Sequence, residues 1–361
     1  MLTESKRADY FSSIINNDKA SAFFKTAYQV FQEADRNTGK PTCLFYSIGG
    51  YTVKLHFAGN SLLPLITPAL EHLSTQQNSS PSLTICLWDS ETTKTFMPSP
   101  PWSLNDYSAR GEVREYNNDS IFTACHKGSG ALSILDCSTN TAIWWIRSAN
   151  NVPFYESGSP LLTILHWWLQ KNKRQVVHAG AVGTKQGGVL LAGKGGSGKS
   201  TAAIACLNSN LFYAGDDYCI IKSSPAPYVF SLYNSGKINT DNIIRFPHLL
   251  PAINNYDRTD TEKPLIFLNR HYQSKMIEGF PIKAIFLPRV TGLQDTTLTP
   301  TTQAMGLKAI APNTLFQLSY TNQSAFYEIA RFVKQIPCYY LNLGTDIKQI
   351  PEVILKFLSE N

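Results

Sequence analysis

The segment Gly193-Lys-Gly-Gly-Ser-Gly-Lys-Ser200 constrains this chain more than any other stretch. It satisfies the pattern G-x-x-x-x-G-K-[ST] at Gly193, Gly198, Lys199 and Ser200. It follows the apolar run Val189-Leu-Leu-Ala192 directly and precedes Thr201–Leu207, which reads as a helix. Strand, glycine-rich turn and helix in that order commit this region to an α/β layer with a phosphate-binding loop. Glycines at 193, 195, 196 and 198 allow the backbone to curl with its N–H groups inward as an anion nest. The helix opening near Ser200 adds a positive dipole end. Lys199 is expected on the β- and γ-phosphates as a point charge, and the Ser200 hydroxyl on magnesium. Ser197 and Thr201 belong to the same cradle. So does Lys194, for which simple solvation is the competing role. The expected ligands are ATP, or another nucleoside triphosphate, and Mg.

Sixteen residues beyond Ser200 stands Asp216-Asp217, after one helix and one short strand, Leu211–Tyr213. A carboxylate in that position can face the loop and bind magnesium. Adjacent side chains on an extended backbone point to opposite sides, but at a strand end both can approach the phosphates. One would then hold metal while the other takes a proton from an attacking hydroxyl. The competing reading is a turn cap beside a solvated charge. His178 falls on an expected β segment, Val176–Val182, joined by a turn at 183–187 to Gly188–Leu191. A histidine there faces either the core or the site.

The rest of the chain organises around this unit. Residues 1 to about 36 carry Phe23, Phe24, Ala27, Val30 and Phe31 at helical spacing and suggest one or two surface helices. Leu44–Tyr46 and Tyr51–Phe57 flank Gly49-Gly50 as a β-hairpin. Leu62–Leu73 reads as a short helix, 76–81 as a polar linker and Leu83–Trp88 as a strand. Pro98, Pro100 and Pro101 forbid regular structure. Ile121–Cys125, Ala131–Cys137 and Thr141–Arg147 form a meander. A helix is expected over Pro160–Leu169, with Pro160 at its first position and Trp167-Trp168 in the core. We therefore expect two domains: an α+β N-terminal domain over 1–172, for recognition or assembly, and an α/β P-loop domain over 173–361.

A chain of 361 residues with 43% apolar and 16% charged residues is long enough for two cores and is not disordered in composition. The net charge of +6 is dispersed. Its densest run, Lys171, Lys173 and Arg174, falls short of a nucleic-acid tail, so no nucleic-acid partner is expected. Seven cysteines without a C-x-x-C pair suit a reduced, cytoplasmic setting. The N-terminus shows no signal-peptide pattern, and no apolar run approaches the roughly 18 residues of a membrane span.

Taken together, His178-Ala-Gly-Ala-Val, the loop Gly193–Ser200 and Asp216-Asp217 resemble the catalytic domain of the HPr serine kinase/phosphorylase family, over roughly residues 175–222. That family is related in fold to phosphoenolpyruvate carboxykinases. The whole chain is similar to its longer, divergent members, some of which phosphorylate serine in short peptides. The resemblance implies an ATP-dependent, magnesium-requiring kinase acting on serine of a peptide or small protein. It implies Lys199 on the phosphates, Ser200 on magnesium and Asp216 as general base. Asp217 would be the metal or hydrogen-bonding partner, and His178 would tune or relay the proton. Hexamers among the resembled enzymes admit a homo-oligomer. The family's later glycine-rich signature has no clear match after residue 222, which leaves the phosphorylase activity without support. Lys237, Arg245, Arg270 and Arg289 are candidates for neutralising the transferred group. The alternatives are a small-molecule kinase on the same scaffold and a non-catalytic nucleotide-dependent binding module. A regulatory GTPase would carry an Asn-Lys-x-Asp base-reading motif, which is absent.

Overall fold

Ala20, Phe23, Phe24, Ala27, Phe31 and Ala34 recur at three- and four-residue steps, and on a helix they form one stripe. In the computed structural model, which describes residues 4–77, 80–319, 321 and 323–361, this segment is a single helix, α1 (Glu4–Thr38). The stripe is buried against Trp88, Tyr116, Ile121, Ile134 and Ile143. The expected one or two surface helices are thus one helix that covers a sheet face. Residues 1–3 lie outside the described residues.

That sheet contains β1 (Thr42–Ile48), β2 (Tyr51–Phe57), β3 (Leu83–Asp89), β4 (Ile121–Cys125), β5 (Leu132–Asp136) and β6 (Thr141–Ile146), in the order β1-β2-β3-β6-β5-β4. The expected hairpin turns at Gly49 and Gly50, whose φ values of +61° and +84° suit a tight two-residue connection. β4, β5 and β6 pair antiparallel as the expected meander, while β3 joins β2 and β6 in parallel. The helix expected over Leu62–Leu73 divides into Leu63–Ile66 and a 3₁₀ segment, Pro68–Leu73. Pro68 has no N–H with which to continue the ladder. Part of the polar linker, residues 78 and 79, lies outside the described residues. The helix expected from Pro160 begins later, as α2 (Leu162–Lys171), because Leu161 sits at φ +59° before it. Trp167 and Trp168 are buried in the core.

The second large sheet carries the glycine-rich loop at 193–198. Its strands are β7 (Gln175–Val177), β8 (Gly180–Gly183), β9 (Gly188–Leu191), β10 (Phe212–Gly215), β11 (Cys219–Lys222) and β12 (Tyr228–Ser231). A two-stranded ribbon, β13 (Ser235–Lys237) with β14 (Leu265–Phe267), stands beside it. The long β15 (Gly279–Val290), β16 (Thr297–Thr301) and β17 (Cys338–Leu343) complete it. The order is β10-β8-β9-β15-β12-β11-β7, with β17 parallel to β15 and β16 on β17. Helices α3 (Lys199–Ala205) and α6 (Gln349–Glu360) pack on one face. Between them in sequence, α4 (Gln303–Leu315) and α5 (Gln323–Lys334) pack on the other. The arrangement is a mixed α/β fold with helices on both faces of this sheet.

The single β segment expected over Val176–Val182 is two strands. Ala179 N–H donates back to the Val177 carbonyl at 3.1 Å, a three-residue turn that redirects the chain. β7 pairs with β11, whereas β8 pairs with β9 and β10. His178 therefore sits in the break between strands and not on a strand. One apolar core joins the two sheets: Tyr46, Val53, Leu83 and Trp144 share it with Leu169, Val176, Ile220, Leu232 and Leu265. Among the described residues, no helix is long and apolar enough to cross a membrane.

Candidate active site

β9 ends at Leu191, the chain turns through Ala192–Gly198, and α3 begins at Lys199. Gly196 and Gly198 take φ values of +78° and +103°, a region that strains any other residue. A Cβ on Gly198 would also stand 2.3 Å from Leu343 Cδ1. At Gly195 and Gly196 a Cβ would meet nothing within 4 Å, so these two border the open side of the loop. Lys199 is buried, and its Nζ donates to the carbonyls of Gly193 at 2.7 Å and Lys194 at 3.1 Å. Burial pulls its pKa below the ordinary lysine value, opposed by the charges of Asp216 and Asp217.

β10 delivers the two aspartates to the mouth of the loop, and the chain bends there so that they serve different neighbours. Asp216 is buried. Its Oδ2 accepts the Lys237 backbone N–H at 3.2 Å, and its Oδ1 has no protein partner. Burial and the adjacent Asp217 charge push its pKa up to about 6, and the Ser200 hydroxyl pulls in the other direction. Asp217 is gripped from two sides: His178 Nε2 lies 3.0 Å from Oδ1 and Lys237 Nζ 3.0 Å from Oδ2. Burial acts to raise its pKa, but the His178 hydrogen bond and the Lys237 ammonium outweigh it and hold the carboxyl well below its usual range. His178 is itself anchored, its backbone N–H donating to Thr314 Oγ1 at 3.1 Å.

Asp217, His178, Lys199 and Ser200 line one cavity of about 360 Å³ together with Arg245 and Lys263. Beside Ser200, the buried Asp216 Oδ1 lacks a protein partner; Ser197 Oγ, also unpartnered, belongs to a residue that lines a separate cavity with Arg289 and Tyr340. Buried polar atoms are normally paired. A carboxylate and a serine hydroxyl at a glycine-rich loop are oxygen donors that suit magnesium completed by phosphate oxygens and water, so the residues present fit Mg.

Of the four cationic candidates, Lys237 joins the aspartates and Arg245 lines the cavity, with its guanidinium donating to the Thr345 carbonyl at 3.0 Å. Arg270 is turned to Glu71 at 3.2 Å. Arg289 stacks on Tyr340 with 4.2 Å to the ring centroid and donates to Asn342, on the other side of the loop. Lys263 and Gln317 line the cavity without having stood out in the sequence. No motif surrounds either.

No family model matches the chain, and no curated protein matches it. Among solved structures it is similar to the Hpr(Ser) kinase/phosphatase from Coxiella burnetii, at 11% identity over 52% of this chain and 97% of that one, with a TM-score of 0.30. A likeness of that size carries neither fold nor activity over, and the site geometry stands on its own.

Proposed function

We propose that the protein is a kinase that transfers the γ-phosphoryl group of ATP to a hydroxyl, with serine of a peptide or small protein as acceptor and magnesium as cofactor. One observation carries this reading. At the mouth of a phosphate loop, one aspartate turns inward beside Ser200 while its neighbour turns to the open cavity under a histidine and a lysine. Such a division of labour is what phosphoryl transfer to a hydroxyl requires: one site for metal and one for a proton.

The two aspartates divide in the opposite sense to the one the family resemblance implies. Asp216 is buried on the Ser200 side, which suits metal. Asp217 faces the cavity, which suits the base. Magnesium, when bound, would be held by Ser200 and Asp216 and would offset the charge of the β- and γ-phosphates. The loop N–H groups and Lys199 hold the phosphates. The acceptor oxygen attacks in line with the leaving oxygen. An O–P bond forms, the bond to the β-phosphate oxygen breaks, ADP departs, and the acceptor proton passes to Asp217. His178 and Lys237 keep Asp217 charged and aimed. A substrate of this kind belongs to the cytoplasm, where ATP is found.

The test mixes the protein with γ-labelled ATP, Mg and serine peptides. Transfer that is lost in Asp217→Asn with ATP binding retained supports the reading. ATP binding without transfer to any hydroxyl acceptor replaces it with the non-catalytic module.

A further inference from the structure

A second cavity, of about 320 Å³, adjoins the first, and Asp217 and Gln317 line both. Its far wall comes from the first sheet: Ala124 on β4, Ser133 on β5 and Trp144 on β6. Its rim comes from Arg110, His126 and Tyr155. The near wall holds Lys237, Tyr218 and Asp217. The two sheets thus enclose a space that opens on the carboxylate assigned above as base.

This space is built and braced. Arg110 Nη1 donates to the Leu318 carbonyl at 2.7 Å and to Thr321 Oγ1 at 3.2 Å, tying the 108–112 turn to the segment after α4. His126 is hydrogen-bonded to the Tyr155 hydroxyl, 2.8 Å from Nε2. Behind Lys237 the helical turn Phe154–Gly158 closes tightly: Ser235 Oγ donates to the Gly158 carbonyl at 2.5 Å, and Tyr233 OH donates to the Pro160 carbonyl at 2.8 Å. A Cβ at Gly158 would come within 2.9 Å of Lys237 Cε, so a glycine lets the lysine stem lie flat and reach Asp217. Glu156 also lines the space. Burial pushes its carboxyl up to about 7, so it presents a donor as well as an acceptor near neutrality.

We infer that this cavity is the acceptor pocket, and that it takes one short hydroxyl-bearing unit whose second polar group, a carboxylate or an amide carbonyl, is received by Arg110. The inference rests on the kinase reading. The cavity volume is at the low end for small-ligand pockets, enough for a single residue or a small hydroxy acid and too small for a folded carrier domain. The hydroxyl at its inner end meets Asp217. The indole of Trp144 supplies an apolar floor.

Two acceptors distinguish the sources of that chemistry: free L-serine, which offers a carboxylate, and the capped tripeptide acetyl-Gly-Ser-Gly-amide, which offers carbonyls. Initial rates with γ-labelled ATP and Mg are compared for the full chain, for Ala131→Leu, which fills the cavity from β5's approach, and for Tyr155→Ala at the half-exposed rim. Thermal melting and the KM for ATP control for folding and for the nucleotide site. The expected result is a rise of at least tenfold in acceptor KM in both variants, with melting and the KM for ATP unchanged. Transfer at the wild-type acceptor KM in both variants overturns the pocket and leaves the kinase reading standing. Absence of transfer to either acceptor by the unaltered protein, with ATP bound, overturns both.

Discussion

Lys237 grips Asp217 across strands, its Nζ 3.0 Å from Oδ2, while its own backbone N–H donates to Asp216. One residue of a two-stranded ribbon thus touches both aspartates, the first by charge and the second by the main chain. The Lys237→Met variant removes only the charge. Without the ammonium the Asp217 pKa rises, so the carboxyl-carbon NMR titration profile of Asp217 in the metal-free protein moves upward. The backbone bond to Asp216 survives and magnesium dependence stays as it was. A profile that keeps its position shows that Lys237 does not act on the base.

Asp217→Asn keeps the volume and loses the proton acceptor. We expect kcat to fall by about 10²–10⁴-fold, the usual size of a general-base contribution, with ATP affinity within about twofold of the parent. Equilibrium binding and single-turnover transfer separate the two.

Asp216 has a linkage consequence. Its folded pKa of about 6 lies above the ordinary 3.8, so the folded state holds this proton more tightly than the unfolded chain. The charged form is therefore a cost to folding. It is absent below about pH 3.8 and complete above about pH 6, where it reaches about 3 kcal/mol. Asp216→Asn should melt several degrees higher at pH 8 in the presence of chelator, with the gain fading toward pH 4, while magnesium-dependent transfer is lost. A melting difference that does not vary with pH contradicts this.

Two loop glycines separate folding from binding. Gly198→Ala places a Cβ against Leu343 at a positive φ, a strain of about 1–3 kcal/mol before the clash is counted, and should lower both melting temperature and ATP affinity. Gly195→Ala meets no protein atom within 4 Å and should lower ATP affinity with melting unchanged. Scanning calorimetry with and without ATP reads both.

Ser200→Ala removes the proposed hydroxyl ligand. We expect the magnesium concentration for half-maximal transfer to rise about tenfold. A metal titration at fixed ATP measures it.

The strand–loop–helix geometry around Gly193–Ser200 was legible because its physics is local. Gly193–Ser200 needs only a strand before it and a helix after it, and both lie next to it in sequence. Asp216 and Asp217 were legible as a pair at a strand end, but not which of them turns inward. That depends on Lys237, more than one hairpin away, whose backbone captures Asp216 and whose ammonium captures Asp217. His178 was visible and misplaced: apolar neighbours read as one strand, and the one mark of the turn at Ala179 is Gly180, which opens the next strand. In the first half, the meander and the Gly49-Gly50 hairpin followed from alternation and turn residues. Its bearing on the site did not, because Arg110, His126 and Tyr155 come to share a cavity with Asp217 and Lys237 only when the two sheets meet.

The core that joins those sheets sets a limit on modularity. Val176, Ile220, Leu232 and Leu265 complete an apolar interior begun by Tyr46, Val53 and Trp144. A fragment cut at residue 172 would carry that unfinished interior into water as an adhesive surface. Grafting a foreign first half onto this glycine-rich loop and its sheet would meet the same obstacle, since the join is a packed seam and not a linker. A lineage of such proteins would have to reshape the cavity between the sheets by substituting residues within the seam, one side chain at a time, with the glycine-rich loop held fixed behind it.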